Sequence, residues 1–211
     1  MPDLSSANVD TTTYTHRVLW QCANQQVTAG SDAERNQFGF WLASMVLGAM
    51  TFEAYLNYAG ETLRPDVWAK ERSFFRGAPY GGPLGKLNYL LDQYGLPHPD
   101  PQIRPFSSVI KLKGVRDSVA HAKLLSRRTT VEFPCGVLPP VGEQWLEADL
   151  SEEQARDLLD DLSEYLESTH AGLRQSAFGE ISLVHALKGS TMTSIGSISF
   201  SPDVEAPPTR P

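Results

Sequence analysis

The stretch KLKGVRDSVAHAKLLSRR, residues 111–128, gathers groups suited to phosphate chemistry. Lys111, Lys113, Arg116, Lys123, Arg127 and Arg128 are six of the chain's 18 cations, and Asp117 is the only acid among them. His121 follows Arg116 by five residues. An imidazole titrates near neutrality, so it can take a proton from a hydroxyl and later give one back. A guanidinium binds two phosphate oxygens in parallel and stabilises charge that develops on them. On a helix, five residues place the two side chains about 140° apart and about 7.5 Å along the axis, so they do not stack on one face.

The rest of the composition makes this cluster unusual. The chain has 211 residues, 25 acids against 18 lysines and arginines, and a formal charge of −7. That length suits one domain, or one domain with tails, able to bury a core without disulfides or metals. The negative balance argues against a polyanion-binding surface over the whole molecule, so any nucleic-acid contact is local. Cys22 and Cys135 form no spaced framework, which points to a reducing, cytoplasmic setting. MPDLSSANVD lacks the basic start and apolar block of a signal peptide. The most apolar run, residues 38–52, is short for a membrane span and is followed at once by Glu53, so it reads as a buried core helix and no membrane partner is expected.

The elements that must position Arg116 and His121 are helical. Residues 1–13 are polar and read as a mobile tail, and THRVLWQCANQQV as a helix or an extended arm. Ser31–Asp32 is placed as the cap of a first helix running to about Leu63. There Phe38, Trp41, Leu42, Met45, Val46, Ala49, Phe52 and Leu56 recur at helical spacing. Glu53 and Asn57 interrupt it, four apart on one face. DVWAKERSFF is a short helix, and KLNYLLDQYG a helix ended by Gly95. LPHPDPQIRP is a connector. A helix over about 105–124 carries the cluster. Phe106, Val109 and Ile110 share one face, and Leu112, Val115, Val119 and Ala122 lie roughly opposite, which implies either cover on two sides or a kink at Gly114. TTVEF and QWLEADL suggest a small hairpin within 129–150. Ser151 and Gln154 then open a last helix. Its apolar face holds Leu158, Leu159, Leu162, Tyr165, Leu166 and Leu173, and its acids, Asp160 and Asp161 among them, read as a solvated outer face. After residue 187 little fixed structure is expected. The fold class is therefore all-α, an up-and-down bundle of four to five helices with a loop or β-hairpin insertion before the last helix. The divisions are a tail or arm over 1–31, a helical domain over 32–185 with its insertion at about 125–150, and a flexible tail over 186–211.

Other chemistries are not supported. GGPLGK fails the phosphate-loop pattern at Tyr80 and Leu87. The five histidines do not pair at metal-ligand spacing, so no metal and no cofactor is expected. There is no Gly-x-Ser-x-Gly turn.

RDSVAH, an Arg followed by a polar acid and then His five residues after the Arg, resembles the Arg-x4-6-His motif of HEPN domains, the higher eukaryotes and prokaryotes nucleotide-binding family. The likeness extends over about residues 32–175, and FEAYLN resembles an early helix that often carries Glu and Asn in that family. The resemblance implies a metal-independent endoribonuclease. His121 would help the RNA 2′-OH attack phosphorus, Arg116 would stabilise the pentavalent transition state, and the products would be a 2′,3′-cyclic phosphate and a 5′-OH. It implies a symmetric homodimer with two motifs in one cleft, and suggests a toxin or defence effector with a protein antitoxin. Asp117, Glu53 and Asn57 would support Arg116, while Lys111, Lys113, Lys123, Arg127 and Arg128 would bind RNA phosphates. A second reading is a non-catalytic HEPN-like module binding a protein partner or a nucleotide, in which Arg116 forms an ion pair with Glu53 or the last helix and His121 sits at a helix end. No aromatic residue lies between 107 and 132 to stack bases.

Overall fold

The computed structural model describes residues 7–121 and 150–198. Their order is β1 (Ala7–Thr13), α1 (Thr15–Asp32), α2 (Gln37–Leu63), α3 (Pro65–Trp68), α4 (Glu71–Phe74), α5 (Gly82–Gln93), α6 (Phe106–Ala120), α7 (Glu152–Ser176) and β2 (Met192–Ile198). The class is all-α, with five longer helices, two single-turn helices and one two-stranded sheet among the described residues. The hairpin expected within 129–150 lies outside the described residues.

Helix α2 is the axis of the molecule. It is long and apolar enough to cross a membrane by composition, but α1, α5, α6 and α7 all pack on it. Met45, Ala49, Phe52 and Leu56 are buried, as the helical spacing predicts, and Tyr55 and Ala59 are enclosed with them. At Gly60 the approach is closest. A Cβ there would stand 2.0 Å from two carbons of the Trp68 indole, so the glycine is what lets α3 fold back on α2. Gly60→Ala is expected to cost about 1–3 kcal/mol by overpacking, read as a lower urea midpoint with a changed Trp68 environment.

Helix α7 closes the other side. Ser151 accepts the Gln154 amide at 3.1 Å, as the capping pattern predicts, and Leu158, Leu159, Leu162, Tyr165, Leu166 and Leu173 are buried. The acidic face is not uniformly solvated. Asp161 is buried and accepts from Arg104 Nε at 2.6 Å and Nη2 at 2.9 Å, and from Ser108 Oγ. Burial alone would raise its carboxyl pKa; the bonds from Arg104 and Ser108 outweigh that and hold it below the usual range. Asp161 thus ties the start of α6 to α7, where the helix's charge pattern had suggested only a wet surface.

Both ends of the described chain are structured. Residues 15–32 form α1, whose last residues are Ser31 and Asp32. They do not cap the next helix: α2 begins after Asn36, which has a left-handed backbone. β1 pairs antiparallel with β2, from Ala7 opposite Ile198 to Thr13 opposite Met192, and the Tyr14 amide donates to Thr191 O at 2.8 Å. Over residues 7–13 and 192–198 this corrects the expected mobile tail and loosely structured last segment; residues 1–6 and 199–211 lie outside the described residues. The pairing is carried by backbone bonds between Thr- and Ser-rich strands, and no apolar alternation advertises it.

The segment between α7 and β2 is clamped to the bundle. Arg17 is buried and donates from Nη2 to His185 O at 2.6 Å, from Nη1 to Ser190 O at 2.8 Å and from Nε to Ala186 O at 3.2 Å. Glu167 accepts the amides of Leu187 at 2.9 Å and Ala186 at 3.2 Å. A carbonyl only accepts, so His170 donates its Nε2–H to Leu183 O at 3.0 Å, and its Nδ1 then accepts the Tyr55 hydroxyl at 3.2 Å. His16 Nε2 likewise donates to Ala186 O at 3.1 Å.

Candidate active site

Helix α6 presents its core face through Phe106, Ser108, Val109 and Leu112, all buried, and runs through Gly114 as one α-helix. Leu112 therefore belongs to the core and not to a second, partner-facing stripe. What is left of that stripe among the described residues is Val115, half-buried, and Val119, exposed. By its angle Arg116 continues the core face, one turn beyond Leu112. Here the helix is leaving the core, and the side chain is 24% exposed.

Arg116 is held by two carboxylates. Its Nη2 lies 2.6 Å from Glu53 Oε2 on α2, and its Nη1 2.8 Å from Asp117 Oδ1 on its own helix. Asp117 in turn accepts from Lys113 Nζ at 2.5 Å, an i,i+4 pair. The hydrogen bond from Lys113 is the main reason the Asp117 carboxyl lies below its ordinary range. The charges of Lys113, Arg116 and His121 add to it, and burial opposes it. Glu53, Lys113, Arg116 and Asp117 thus form one network with two charges of each sign. A guanidinium has five N–H groups. Two are given to carboxylates here, which leaves three to meet an incoming anion.

His121 is the residue after α6. Its amide donates to Asp117 O at 3.0 Å, and its side chain is exposed. Helix α6 therefore ends with the imidazole at the surface, in the turn after Arg116. Lys111 is exposed on another face of α6, where its charge helps hold down the carboxyl of Asp161. Lys123, Arg127 and Arg128 lie outside the described residues.

Asn57 does not join Arg116. Its Oδ1 accepts from Lys86 Nζ at 2.8 Å, and Lys86 also pairs with Glu71 of α4. Lys86 is 5% exposed, a buried cation on α5. Glu53 and Asn57 are one turn apart on α2, about 6 Å along the axis, so the two polar networks are neighbours. Lys86 and Glu71 were not singled out in the sequence. The available signal was a lysine sharing the face of Tyr89 and Leu90 in an otherwise apolar helix stripe, which demands a partner. Among the described residues no three His, Cys, Asp or Glu side chains come together as a metal site.

Compared with family models, curated proteins and solved structures, the chain matches none.

Proposed function

We propose that the chain is a metal-independent endoribonuclease of HEPN-like type, working as a symmetric homodimer in which two copies of the α6 end share one cleft. The observation that supports this most is the Glu53–Arg116–Asp117 arrangement beside an exposed His121. Two carboxylates from different elements fix the guanidinium, so it meets a phosphate without first being ordered. In the reaction, a neutral His121 takes the 2′-OH proton as the 2′-oxygen attacks phosphorus. Arg116 uses its remaining N–H groups on the non-bridging oxygens. The 5′-oxygen leaves with a proton from the second imidazole of the pair, giving a 2′,3′-cyclic phosphate and a 5′-OH. Exposed Val119 lies at the same end of α6 and is available to the dimer contact.

One observation favours the second reading, a non-catalytic binding module. The four charges of the Arg116 network cancel, which is also what a structural ion-pair cluster looks like. Cleavage of unstructured RNA in excess chelator separates the two. With folding and oligomeric state shown to be unchanged, His121→Ala is expected to lose about 10²–10⁴-fold in rate, and Arg116→Ala about 10²–10³-fold. Wild-type cleavage that persists in either variant would remove the Arg–His pair from the mechanism. No wild-type cleavage would leave the binding module.

A further inference from the structure

The ribonuclease reading leaves a gap: residues 107–132 supply cations but no aromatic residue on which bases could stack. The structure places an aromatic surface elsewhere. The segment from Lys70 to Gly81, KERSFFRGAPYG, carries Lys70, Arg72 and Arg76 against one acid, Glu71, and that acid is paired with Lys86. In a chain of charge −7 this is a second local excess of positive charge. All three cations are exposed, and none has an ion-pair partner among the described residues.

Aromatic rings stand among them. Phe74 is 42% exposed, and its ring is parallel to that of Tyr80 within 6°, with centroids 6.4 Å apart. The pair is rigidly backed. Phe75 and Tyr89, both buried, meet Phe74 edge-on at 4.9 and 5.2 Å. Tyr80 is fixed by its hydroxyl, which donates to Asp92 Oδ2 at 3.0 Å. Its backbone rests on Gly85, where a Cβ would lie 2.0 Å from the Tyr80 carbonyl carbon. A partly exposed, well-backed aromatic pair flanked by unpaired cations is the chemistry that receives stacked bases and their phosphates. An acidic peptide without aromatic side chains would use the cations but bring no flat group to the rings.

A chain of polar contacts links α4 to the candidate active site. Glu71 of α4 pairs with Lys86, Lys86 with Asn57, and Asn57 is one turn of α2 from Glu53, which holds Arg116. We propose that α4 and the loop before α5 form the docking platform for single-stranded RNA, with bases on Phe74 and Tyr80 and phosphates on Lys70, Arg72 and Arg76. The platform delivers the strand to Arg116 and His121, and in that it rests on the ribonuclease reading.

The test is binding of a fluorescein-labelled oligouridine of about twelve nucleotides, a length within the range of single-strand sites. It is carried out on full-length His121→Ala protein so that cleavage does not interfere. In that background Phe74→Ala is expected to weaken binding about tenfold, the effect of losing one stacked base, while Phe74→Tyr keeps the affinity. Arg72→Ala with Arg76→Ala is expected to flatten the slope of log affinity against log salt by about 1.4, two phosphate contacts on a single strand. Circular dichroism confirms that each variant is folded. Binding within twofold of the parent in Phe74→Ala, an unchanged salt slope, equal competition by polyglutamate, or no binding at all would each overturn the platform. Cleavage by the wild-type protein is scored separately. Phe74-dependent binding without cleavage keeps the platform and removes the ribonuclease; cleavage with Phe74-independent binding does the reverse.

Discussion

Arg17→Ala is expected to cost the fold about 2–4 kcal/mol, because it removes charge-assisted hydrogen bonds from two part-buried carbonyls and one buried one. Arg17 serves the carbonyls of His185, Ala186 and Ser190 at once. Alanine strips the side-chain donor from His185 O and Ser190 O and leaves Ala186 O to His16 alone. Lysine keeps the charge but not the planar fork, so Arg17→Lys is expected to recover only part of the loss. Urea unfolding gives the size of the effect. Hydrogen exchange at the Ala186 and Leu187 amides gives its place, since the segment they belong to would loosen before the bundle does. A loss below 1 kcal/mol, with those amides still protected, would show that Glu167, His16 and His170 suffice to hold the segment.

Acidification from pH 6.5 to pH 4 is expected to remove about 3 kcal/mol through His16 alone. Burial, and then the charge of the adjacent Arg17, lower the His16 pKa from 6.5 to about 4; the hydrogen bond to Ala186 O works in the opposite direction. The unfolded chain therefore binds a proton near pH 6.5 that the folded chain refuses until about pH 4. The stabilisation is complete above pH 6.5 and declines as pH falls through that window. His170 is also lowered, chiefly by burial, and adds a loss of the same sign. Asp117 and Asp161, whose pKa values lie below the ordinary carboxylate range, lose their contribution only at more acid pH. Urea midpoints taken between pH 7 and pH 4.5 therefore report mainly the histidines. His16→Gln can still donate an N–H toward Ala186 O but does not titrate. Its stability is expected to fall less steeply with acid, and an unchanged slope would remove His16 from the account.

How far these features could be read in the residues depends on what kind of interaction made them. α7 was legible almost whole, because a capping serine and an apolar stripe are local signals. α2 was legible in its interior and misplaced at its start. Ser31 and Asp32 have the right chemistry for a cap, but they finish α1, whose buried positions are His16, Arg17, Ala23, Val27 and Gly30. A helix whose core face is polar or small shows no apolar period, so the sequence leaves helix and extended arm both open. β1 and β2 are joined by backbone bonds between residues some 180 positions apart, for example Thr11 and Ser194 at a separation of 183, and no local pattern encodes that. Within the site, the ion pair of Arg116 with Glu53 was foreseeable from charge and helix order. The diversion of Asn57 to Lys86 was not, since it depends on how α5 crosses α2. Asp161 misled because its side chain flanks the apolar stripe of α7 at an angle that a charge count does not register.

The Arg17 clamp and the β1–β2 ladder also set a timetable. On the ribosome, α1 is made long before the carbonyls that its Arg17 and His16 require. Until residues 183–198 have been synthesised, docking α1 fully would bury a guanidinium and an imidazole without acceptors, so its first turn must stay wet while α2, α5 and α6 collapse. The amino-terminal layer is thus completed among the last steps, by the residues translated last of those described. The ladder closes only when two segments some 180 residues apart have met.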